Sequence, residues 1–323
     1  MSQQVAQQTE PTLSLGRTSL QVSPLGVGTW AWGDRLYWGY GRGYTEADLE
    51  AAFQASLAAG ITLFDTAEVY GRGESERLLG RFAAGVPGGT PAPVIATKFF
   101  PYPWRLRRAS LLSALRGSLA RLGRERVDLY QIHWPYPPVP IETWMDALAD
   151  AIERGLALAA GVSNYDVDQM RRAHERLAGR AITLASNQVR FSLLHRKPER
   201  DGLLAACREL GVTLIAYSPL EMGLLTGKYG PDHPPPGLRG RRYGRKTLAR
   251  LEPLLAQLRA IGEAHGGKTV AQVALNWLIC KGALPIPGAK NARQAQENAG
   301  ALGWRLTEQE VEVLDRASDG LAP

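Results

Sequence analysis

One unit recurs along this chain: a short aliphatic or β-branched run, a polar loop, and then an amphipathic helix that ends in glycine. The strand-like runs cover residues 24–30, 61–67, 93–99, 127–134, 156–164, 182–191, 212–220 and 283–289. Their continuous apolar character is typical of strands buried on both faces, as in a parallel sheet. Eight strand–helix units without an internal linker predict an α/β fold of the (β/α)8 TIM-barrel type.

The helices carry start and stop signals. Thr45 is placed to cap the first helix, in which apolar residues recur every four positions until Gly60 ends the run. Near the carboxyl end, Thr307 and Glu310 form a capping-box sequence at the start of another helix. These signals support the alternation of strands and helices.

Some segments lie outside the simple repeat. Residues 12–23 alternate about a GRTS turn and predict a β-hairpin that plugs one end of the barrel. Two helices, 251–267 and 269–282, lie between the seventh and eighth strands, one more than the repeat needs. We therefore expect a single domain over 12–323 with extra C-terminal helices, preceded by a flexible N-terminus at 1–11.

A doubly wound sheet is the alternative architecture for such a chain. That fold usually carries a glycine-rich phosphate fingerprint after its first strand. Here Gly26 and Gly28 are followed by tryptophans, and no third glycine opens a helix. The first turn therefore favours the barrel.

Charge limits the possible partners. The 323 residues carry 38 basic and 31 acidic side chains, a net charge of +7 that favours an anionic ligand or nucleic acid. The densest basic run, 238–246, is interpreted either as a solvated loop or as a clamp on a phosphorylated cofactor. Because no nucleic-acid-binding module surrounds this run, we expect no nucleic-acid partner.

Location and assembly follow from what the sequence lacks. It has no apolar run long enough to span a membrane, and its first residues do not form a signal peptide. Cys207 and Cys280 lie in helix-like runs without metal-ligand spacing and are interpreted as buried small residues. We expect a cytoplasmic protein that binds no metal, and a monomer because no exposed apolar stripe stands out.

Polar residues mark the carboxyl ends of the strands, where barrel enzymes place catalysis. Asp65 ends the second strand, and Tyr70 follows in its loop; Lys98 ends the third strand and His133 the fourth. An unpaired ammonium is costly in a crowded interior, so Lys98 is expected to pair with Asp65. We expect Lys98 to lower the pKa of Tyr70 and to make this phenol a general acid. His133 then offers a hydrogen bond to the same substrate oxygen.

A second set of residues suits a nicotinamide cofactor. Ser163, Asn164 and Gln188 offer neutral donors and acceptors for a carboxamide, and Tyr217 can stack beneath the ring. The glycine-rich loop 218–228 suits close backbone approach to a pyrophosphate.

Aromatic residues crowd the loops after the first, third and fourth strands. Five of the eight tryptophans lie there: Trp30, Trp32, Trp38, Trp104 and Trp134. Packing beneath long loops is one interpretation of this enrichment. The other is an apolar cup for a flat ring, formed by these tryptophans with Tyr70 and His133 as the substrate pocket.

The motifs FDTAEVYG, ATKF, QIHW, GVSNY, AYSPLEMGLLTGKY and IPGAKNARQAQEN follow one another in this order. In them the chain resembles the aldo-keto reductases over essentially its whole length. The resemblance implies NADPH-dependent reduction of aldehydes or ketones by direct hydride transfer. It implies that Tyr70 is the acid and Lys98 its pKa partner. Asp65 would be the counter-ion of the lysine, and His133 the orienting donor.

The resemblance also implies where the cofactor lies, with the adenosine phosphates bound after the eighth strand. The expected cofactor-binding residues are Gly28, Thr29, Trp30, Asp65, Ser163, Asn164, Gln188, Tyr217, Ser218, Pro219, Leu220, Gly223, Leu225, Lys228, Ile286, Pro287, Gly288, Ala289, Lys290, Gln294, Glu297 and Asn298. Many relatives carry arginine where this chain has Gln294. This departure leaves Lys290, helped by Arg293 or the 238–246 run, to bind the 2′-phosphate of NADPH.

Within the family, segments such as GTWAWGDRLYWGY and PYPWRL look most like plant-plastid and cyanobacterial-type members, which include pyridoxal reductases. Pyridoxal is a flat aromatic aldehyde and is compatible with the aromatic cup. One alternative is a regulatory subunit that uses the barrel as a nicotinamide sensor, similar to potassium-channel β subunits. A cofactor-free barrel isomerase is another, but it leaves Gln188 and Tyr217 unexplained.

Overall fold

The structure is a computed structural model that describes residues 12–235 and 243–321. Its strands are β1 (Leu13–Ser14), β2 (Gln21–Val22), β3 (Gly26–Gly28), β4 (Leu63–Asp65), β5 (Val94–Phe99), β6 (Val127–Ile132), β7 (Ala157–Ser163), β8 (Leu184–Arg190), β9 (Thr213–Tyr217) and β10 (Leu284–Pro285). Its helices are α1 (Glu46–Ala58), α2 (Glu74–Ala84), α3 (Arg108–Leu122), α4 (Ile141–Glu153), α5 (Val167–Ala178), α6 (Lys197–Arg200), α7 (Leu203–Leu210), α8 (Arg245–Ala264), α9 (Val270–Cys280), α10 (Ala292–Ala299) and α11 (Glu308–Ser318). The expected flexible terminus at 1–11 and residues 238–242 of the basic run lie outside the described residues.

Strands β3 to β10 form one parallel sheet in sequence order, which confirms the predicted barrel. The sheet is nearly closed where Gly28 bridges Gly288 and the Gly28 amide donates to the Pro287 carbonyl at 3.1 Å. A Cβ at Gly28 would lie 2.8 Å from the Ile286 carbonyl oxygen. Glycine is therefore required where the first and last strands approach each other.

The hairpin of β1 and β2 plugs the barrel, as predicted. Its two strands pair antiparallel, and Leu15 and Val22 pack against the buried residues inside the sheet. Gly16 turns the chain at φ +60°, and a Cβ there would lie 2.5 Å from the Ala185 carbonyl oxygen. The hairpin thus packs against the N-terminal ends of the barrel strands.

The helices surround the sheet and bury its outer face. The expected cap at Thr45 is a capping box with Asp48, and the expected box of Thr307 and Glu310 is also present. Helix α8 begins at Arg245, earlier than the predicted 251, because the buried apolar positions of this helix already include Leu248. Within residues 12–235 and 243–321, none of the helices combines the length and apolarity needed to cross a bilayer.

The barrel interior changes from apolar to polar toward the carboxyl ends of the strands. Its apolar layer is formed by Leu63, Ala96, Leu129, Ala159, Ala185, Ile215 and Leu284. Because side chains alternate along a strand, the interior two residues further on holds Asp65, Lys98 and Gln131. All three are buried. The fold therefore places a buried polar layer directly beneath the barrel mouth, at the carboxyl ends of the strands.

Candidate active site

Asp65 and Lys98 form an ion pair in this polar layer, as predicted. The Lys98 ammonium donates to Asp65 Oδ2 and, at 2.9 Å, to the carbonyl oxygen of Thr66. Asp65 Oδ1 accepts from Gln131 Nε2 at 3.0 Å and from Gln188 Nε2 at 2.8 Å. The carboxylate thus has one cationic and two neutral donors, which offset the desolvation of a buried charge pair. Burial lowers the pKa of Lys98, and Asp65 opposes this shift.

Gln131 was not identified from the sequence, although it belongs to the QIHW motif. Its signal was an amide within an apolar strand, two residues beyond Leu129 of the apolar layer and two before His133. Thr29, expected to bind cofactor, is fully buried, and its hydroxyl donates to the Asp65 carbonyl oxygen at 3.0 Å. Both residues therefore hold Asp65 in place.

Tyr70 lies beside this pair. It opens the 3-10 turn Tyr70–Gly73 in the loop after β4, and the residue as a whole is half-buried. The Lys98 ammonium is 5.2 Å from the centroid of the Tyr70 ring, and the His133 ring lies edge-on at 5.9 Å between centroids. The structure thus brings together all four predicted catalytic residues.

The expectation that Lys98 lowers the pKa of Tyr70 is wrong for this structure. The pKa of Tyr70 is raised, first by burial and then by the negative charge of Asp65. The physical reason is that Asp65 largely neutralises Lys98, whereas desolvation disfavours the phenolate. Tyr70 therefore remains a protonated phenol, which is the form that a general acid needs.

His133 is a neutral imidazole. Burial, with a smaller effect of the Lys98 charge, lowers the pKa of His133 to about 3. Its Nδ1 has no hydrogen-bond partner among the described residues, and its carbonyl oxygen accepts from Asn164 Nδ2 at 3.0 Å. An unpaired buried acceptor is tolerated better than an unpaired donor, so the proton belongs on Nε2.

The residues expected to face a carboxamide are joined to one another. Ser163 Oγ donates to the Gln188 carbonyl oxygen at 2.8 Å, and Asn164 Nδ2 donates to Ser163 Oγ at 3.0 Å. The Tyr217 hydroxyl donates to Asn164 Oδ1 at 3.0 Å. Burial raises the pKa of Tyr217 to about 12, so it too stays protonated. These bonds fix the Tyr217 ring at the barrel mouth, where an aromatic face and nearby amides suit a nicotinamide.

The loop after β9 has an unusual backbone. Ser218, Glu221 and Met222 have φ of 51°, 47° and 52°, and Gly223 has φ of 97°. Left-handed conformations are unfavourable for residues other than glycine, so surrounding contacts must hold them. Lys228 is exposed at the end of the expected pyrophosphate loop. Pro219, Leu220 and Leu225 make up the remaining expected positions in this loop, and the Leu225 side chain belongs to the core.

The segment after β10 contributes a helix start. The Asn291 side chain caps α10 by accepting a hydrogen bond from the backbone N–H of Gln294. The side-chain oxygen of Gln294, Oε1, in turn accepts from the backbone N–H of Lys290 at 2.9 Å. Asn298 Nδ2 donates to the carbonyl oxygen of Gly288 at 3.3 Å. Glu297 lies 3.8 Å from Arg293. Ile286 and Pro287 are buried before this segment, as is Ala289 within it, whereas Gly288 is exposed. An exposed backbone leading into a helix N-terminus suits an anion.

Lys290 reaches back to the loop after β3. Its ammonium lies 5.3 Å from the Trp38 ring and 4.8 Å from the Tyr44 ring. Trp38, predicted in the substrate pocket, therefore contacts Lys290, a residue expected to bind the cofactor. Trp30 is 38% exposed and stacks on Tyr37.

Trp32 is a correction to the predicted substrate pocket. It is fully buried, packs against Phe64 and Phe82, and donates from Nε1 to the Ala289 carbonyl oxygen at 2.9 Å. Burying its ring and satisfying its N–H are both favourable there.

The remaining aromatic residues lie at the mouth beside His133. Trp134 stacks on Tyr136 with ring centroids 5.4 Å apart, and Trp104 is 73% exposed and stacks on Tyr102. The sequence prediction missed Phe100, whose ring lies edge-on to His133 at 5.5 Å. Its signal was an aromatic residue directly beyond β5, two positions after Lys98. Together these rings form an apolar wall next to the predicted acid.

The barrel and its four residues define an enzyme in which a phenol, the predicted proton donor, lies beside a buried cation. The sequence model of the Aldo/keto reductase family matches residues 24–319. Over 309 residues the chain is 45% identical to the chloroplastic pyridoxal reductase of Arabidopsis thaliana, covering 93% of this chain and 84% of that protein. The chain belongs to the aldo/keto reductase family, and with it to the oxidoreductases that use NADP(H).

Solved structures show the same likeness. A glycerol dehydrogenase from Gluconobacter oxydans superposes with a TM-score of 0.83 at 29% identity, over 95% of this chain and 94% of that one. An aldo-keto reductase from Klebsiella pneumoniae in complex with NADPH gives a TM-score of 0.76 at 28% identity, over 97% and 96% of the two chains. All three relatives are named as reductases or dehydrogenases, so the sensor-subunit alternative gains no support from them.

Proposed function

We propose that this protein reduces aldehydes or ketones to alcohols with NADPH, and that Tyr70 donates the proton to the carbonyl oxygen. The observation that carries the proposal is the buried pair of Lys98 and Asp65 beside the Tyr70 ring, with neutral His133 edge-on to the same ring. A protonated phenol, a cation and a neutral donor meet at one point of the barrel mouth. This combination suits a carbonyl oxygen that gains negative charge and then a proton.

When bound, the nicotinamide supplies the hydride to the carbonyl carbon. His133 donates a hydrogen bond from Nε2 to the carbonyl oxygen and so orients it. Tyr70 transfers its proton to that oxygen as negative charge develops there. The Lys98 ammonium, held by Asp65, compensates the phenolate that remains. The aromatic wall beside His133 keeps water away from the reacting atoms.

The expected cofactor-binding residues run from Tyr217 through the loop after β9 to the start of α10. We call this surface the groove, and its donor set fits the cofactor. The Tyr217 ring, fixed by Asn164, would lie beneath the nicotinamide, and the left-handed loop 218–228 would lie against the pyrophosphate. The start of α10 and the Lys290 side chain would bind the phosphate at the adenosine end. With Gln294 in place of an arginine, Lys290 is the cation that we propose for the 2′-phosphate.

The proposed substrate class is a flat aromatic aldehyde, with pyridoxal as the specific candidate. Phe100, Trp134 and Tyr136 offer ring faces and edges beside His133, and such walls favour planar apolar ligands. The 45% identity to a pyridoxal reductase supports the same choice.

A panel of aldehydes tests this proposal. Pyridoxal, benzaldehyde and a short aliphatic aldehyde are each mixed with the enzyme and NADPH, and loss of NADPH absorbance gives kcat/KM. We expect the highest kcat/KM for an aromatic aldehyde. Turnover of short aldehydes without turnover of pyridoxal would discard the narrow substrate and retain the reductase. No turnover of any member by an enzyme that binds NADPH would reject the proposed function.

We further propose that residues 12–323 act as one domain and as a monomer in the cytoplasm, with small carbonyl compounds as partners and no nucleic acid. Light scattering during size-exclusion chromatography tests the assembly. A mass near 35.2 kDa is expected for the monomer. Twice that mass would contradict this part of the proposal.

A further inference from the structure

A second buried ion pair lies at the barrel mouth, apart from the catalytic pair. Arg190 is the last residue of β8 and lies two positions beyond Gln188, on the same side of the strand. Its guanidinium binds both oxygens of Glu221, with Nε at 3.0 Å from Oε1. Ser192 Oγ also donates to Glu221 Oε1, at 2.8 Å. Glu221 is fully buried, and 24% of the Arg190 side chain is exposed.

Glu221 lies within the most strained part of the loop after β9. Glu221 and Met222 are successive non-glycine residues with left-handed φ, and Gly223 follows with φ of 97°. Such a conformation persists only where neighbouring contacts hold it. The two-pronged bond from Arg190 and the bond from Ser192 supply such contacts, because they fix the side chain of the first left-handed residue.

The same turn contacts the loop after β3. The Tyr37 hydroxyl, in the loop after β3, lies 3.1 Å from Met222 Sδ, one residue beyond Glu221. In the parallel ladder, Arg190 is also opposite Tyr217, the residue proposed to lie beneath the nicotinamide. The ion pair therefore connects the floor of the groove to the loop that would cover the pyrophosphate.

We infer that Arg190 and Glu221 are positioning residues for the dinucleotide: their ion pair holds the left-handed turn at Glu221–Gly223 in the shape that binds the pyrophosphate. This inference rests on the proposed function, which places the cofactor in the groove. Glu221 is buried and does not bind the phosphates itself; it acts through the backbone of the turn. Its charge would repel phosphates, and pairing with Arg190 neutralises it.

The chain contains a matched control for this pair. Arg121 donates from Nε to Glu76 Oε2 at 2.6 Å, and the exposed fractions of the two side chains are again 24% and 0%. This pair joins α2 to α3, away from the loop after β9. Glu221→Gln and Glu76→Gln thus remove one buried charge each from pairs of equal burial, and only the first pair lies at the groove.

The experiment measures NADPH binding by titration of tryptophan fluorescence and NADPH release by stopped-flow fluorescence. We expect Glu221→Gln to raise the Kd for NADPH by about tenfold or more, mainly through faster release, since bonds to charged groups are the stronger ones. Each substitution removes one buried charge, so Glu76→Gln should lower the Tm about as much as Glu221→Gln does. Glu76→Gln should leave the Kd for NADPH unchanged. The aldehyde KM at saturating NADPH should not change in either variant.

An Arg190 side chain left without its partner could itself attract phosphates, and Glu221→Gln could fail to fold. The double variant Arg190→Met/Glu221→Gln removes both charges and addresses both possibilities. It should show the same rise in Kd. Arg190→Lys keeps the positive charge but loses the bidentate hydrogen bond, so it should show part of the rise in Kd.

A wild-type Kd in the double variant would overturn the inference, as would an equal rise in the Glu76→Gln control. These failures differ from a failure of the proposed function. If the wild-type protein does not bind NADPH, the proposed function is wrong. If the wild-type protein binds NADPH and the Glu221 variants bind it equally well, only the positioning role is wrong.

Discussion

Removing the Lys98 charge should separate what the buried pair contributes to stability from what it contributes to turnover. The ammonium bonds to Asp65 and to the Thr66 carbonyl oxygen. In Lys98→Met the carboxylate keeps two neutral donors, Gln131 and Gln188, but loses its cation. Breaking a buried pair on one side lowers the free energy of unfolding by about 3–5 kcal/mol. The double variant Lys98→Met/Asp65→Asn buries no charge at this pair, so it should recover most of that loss.

Turnover should not recover, because the cation is needed when Tyr70 gives up its proton. In both variants the phenolate lacks the ammonium that lies 5.2 Å from its ring centroid. Since a positioned proton donor contributes about 10²–10⁴-fold to the rate, we expect kcat to fall by at least about 10²-fold in both.

Two assays on the same preparations test this prediction. Denaturant unfolding followed by tryptophan fluorescence gives the free energy of unfolding, and NADPH oxidation at saturating aldehyde gives kcat. A double variant that regains both stability and turnover would refute the reasoning, because Lys98 would then be needed only as a partner for Asp65.

Three further predictions concern His133, Lys290 and the tryptophans. The pKa of His133 is about 3 in the folded protein and 6.5 ordinarily, so the unfolded chain binds the extra proton between these values. The free energy of unfolding should therefore rise with pH across this window and be lost as the pH falls from 6.5 toward 3, by up to about 1.4 kcal/mol per pH unit. His133→Gln should remove that part of the slope, as measured by denaturation at several pH values. Lys290→Ala should raise the KM for NADPH more than the KM for NADH; an equal rise would place the 2′-phosphate elsewhere. Trp32→Ala should lower the free energy of unfolding by about 3–5 kcal/mol. Trp104→Ala should change the free energy of unfolding by less than about 0.5 kcal/mol and should raise the aldehyde KM. A larger loss of stability for Trp104→Ala than for Trp32→Ala would contradict the assignment of Trp32 to the core and Trp104 to the pocket.

The clustering of Asp65, Tyr70, Lys98 and His133 could be predicted because strand geometry repeats. Asp65 and Lys98 each end an apolar run, and parallel strands in a barrel bring such ends together. Alternation along β6 would also have identified Gln131, which has the same inward register as Leu129. Features that strand periodicity determines can therefore be predicted well from the sequence.

Loops and acidity could not be predicted in the same way. Trp32 and Trp30 are two residues apart in one loop, yet one is in the core and the other is exposed, because loop direction has no sequence period. The pKa of Tyr70 depends on a balance between burial and two opposite charges, and that balance needs distances. The Arg190–Glu221 pair joins residues from different units, which no local pattern connects.

The central claim is tested most directly by kcat and NADPH affinity of Tyr70→Phe, measured on one preparation. The substitution removes a single hydroxyl and keeps the ring beside His133. We predict that kcat falls by about 10²-fold or more while the Kd for NADPH stays at the wild-type value. Reduction at the wild-type rate would show that the proton comes from another group.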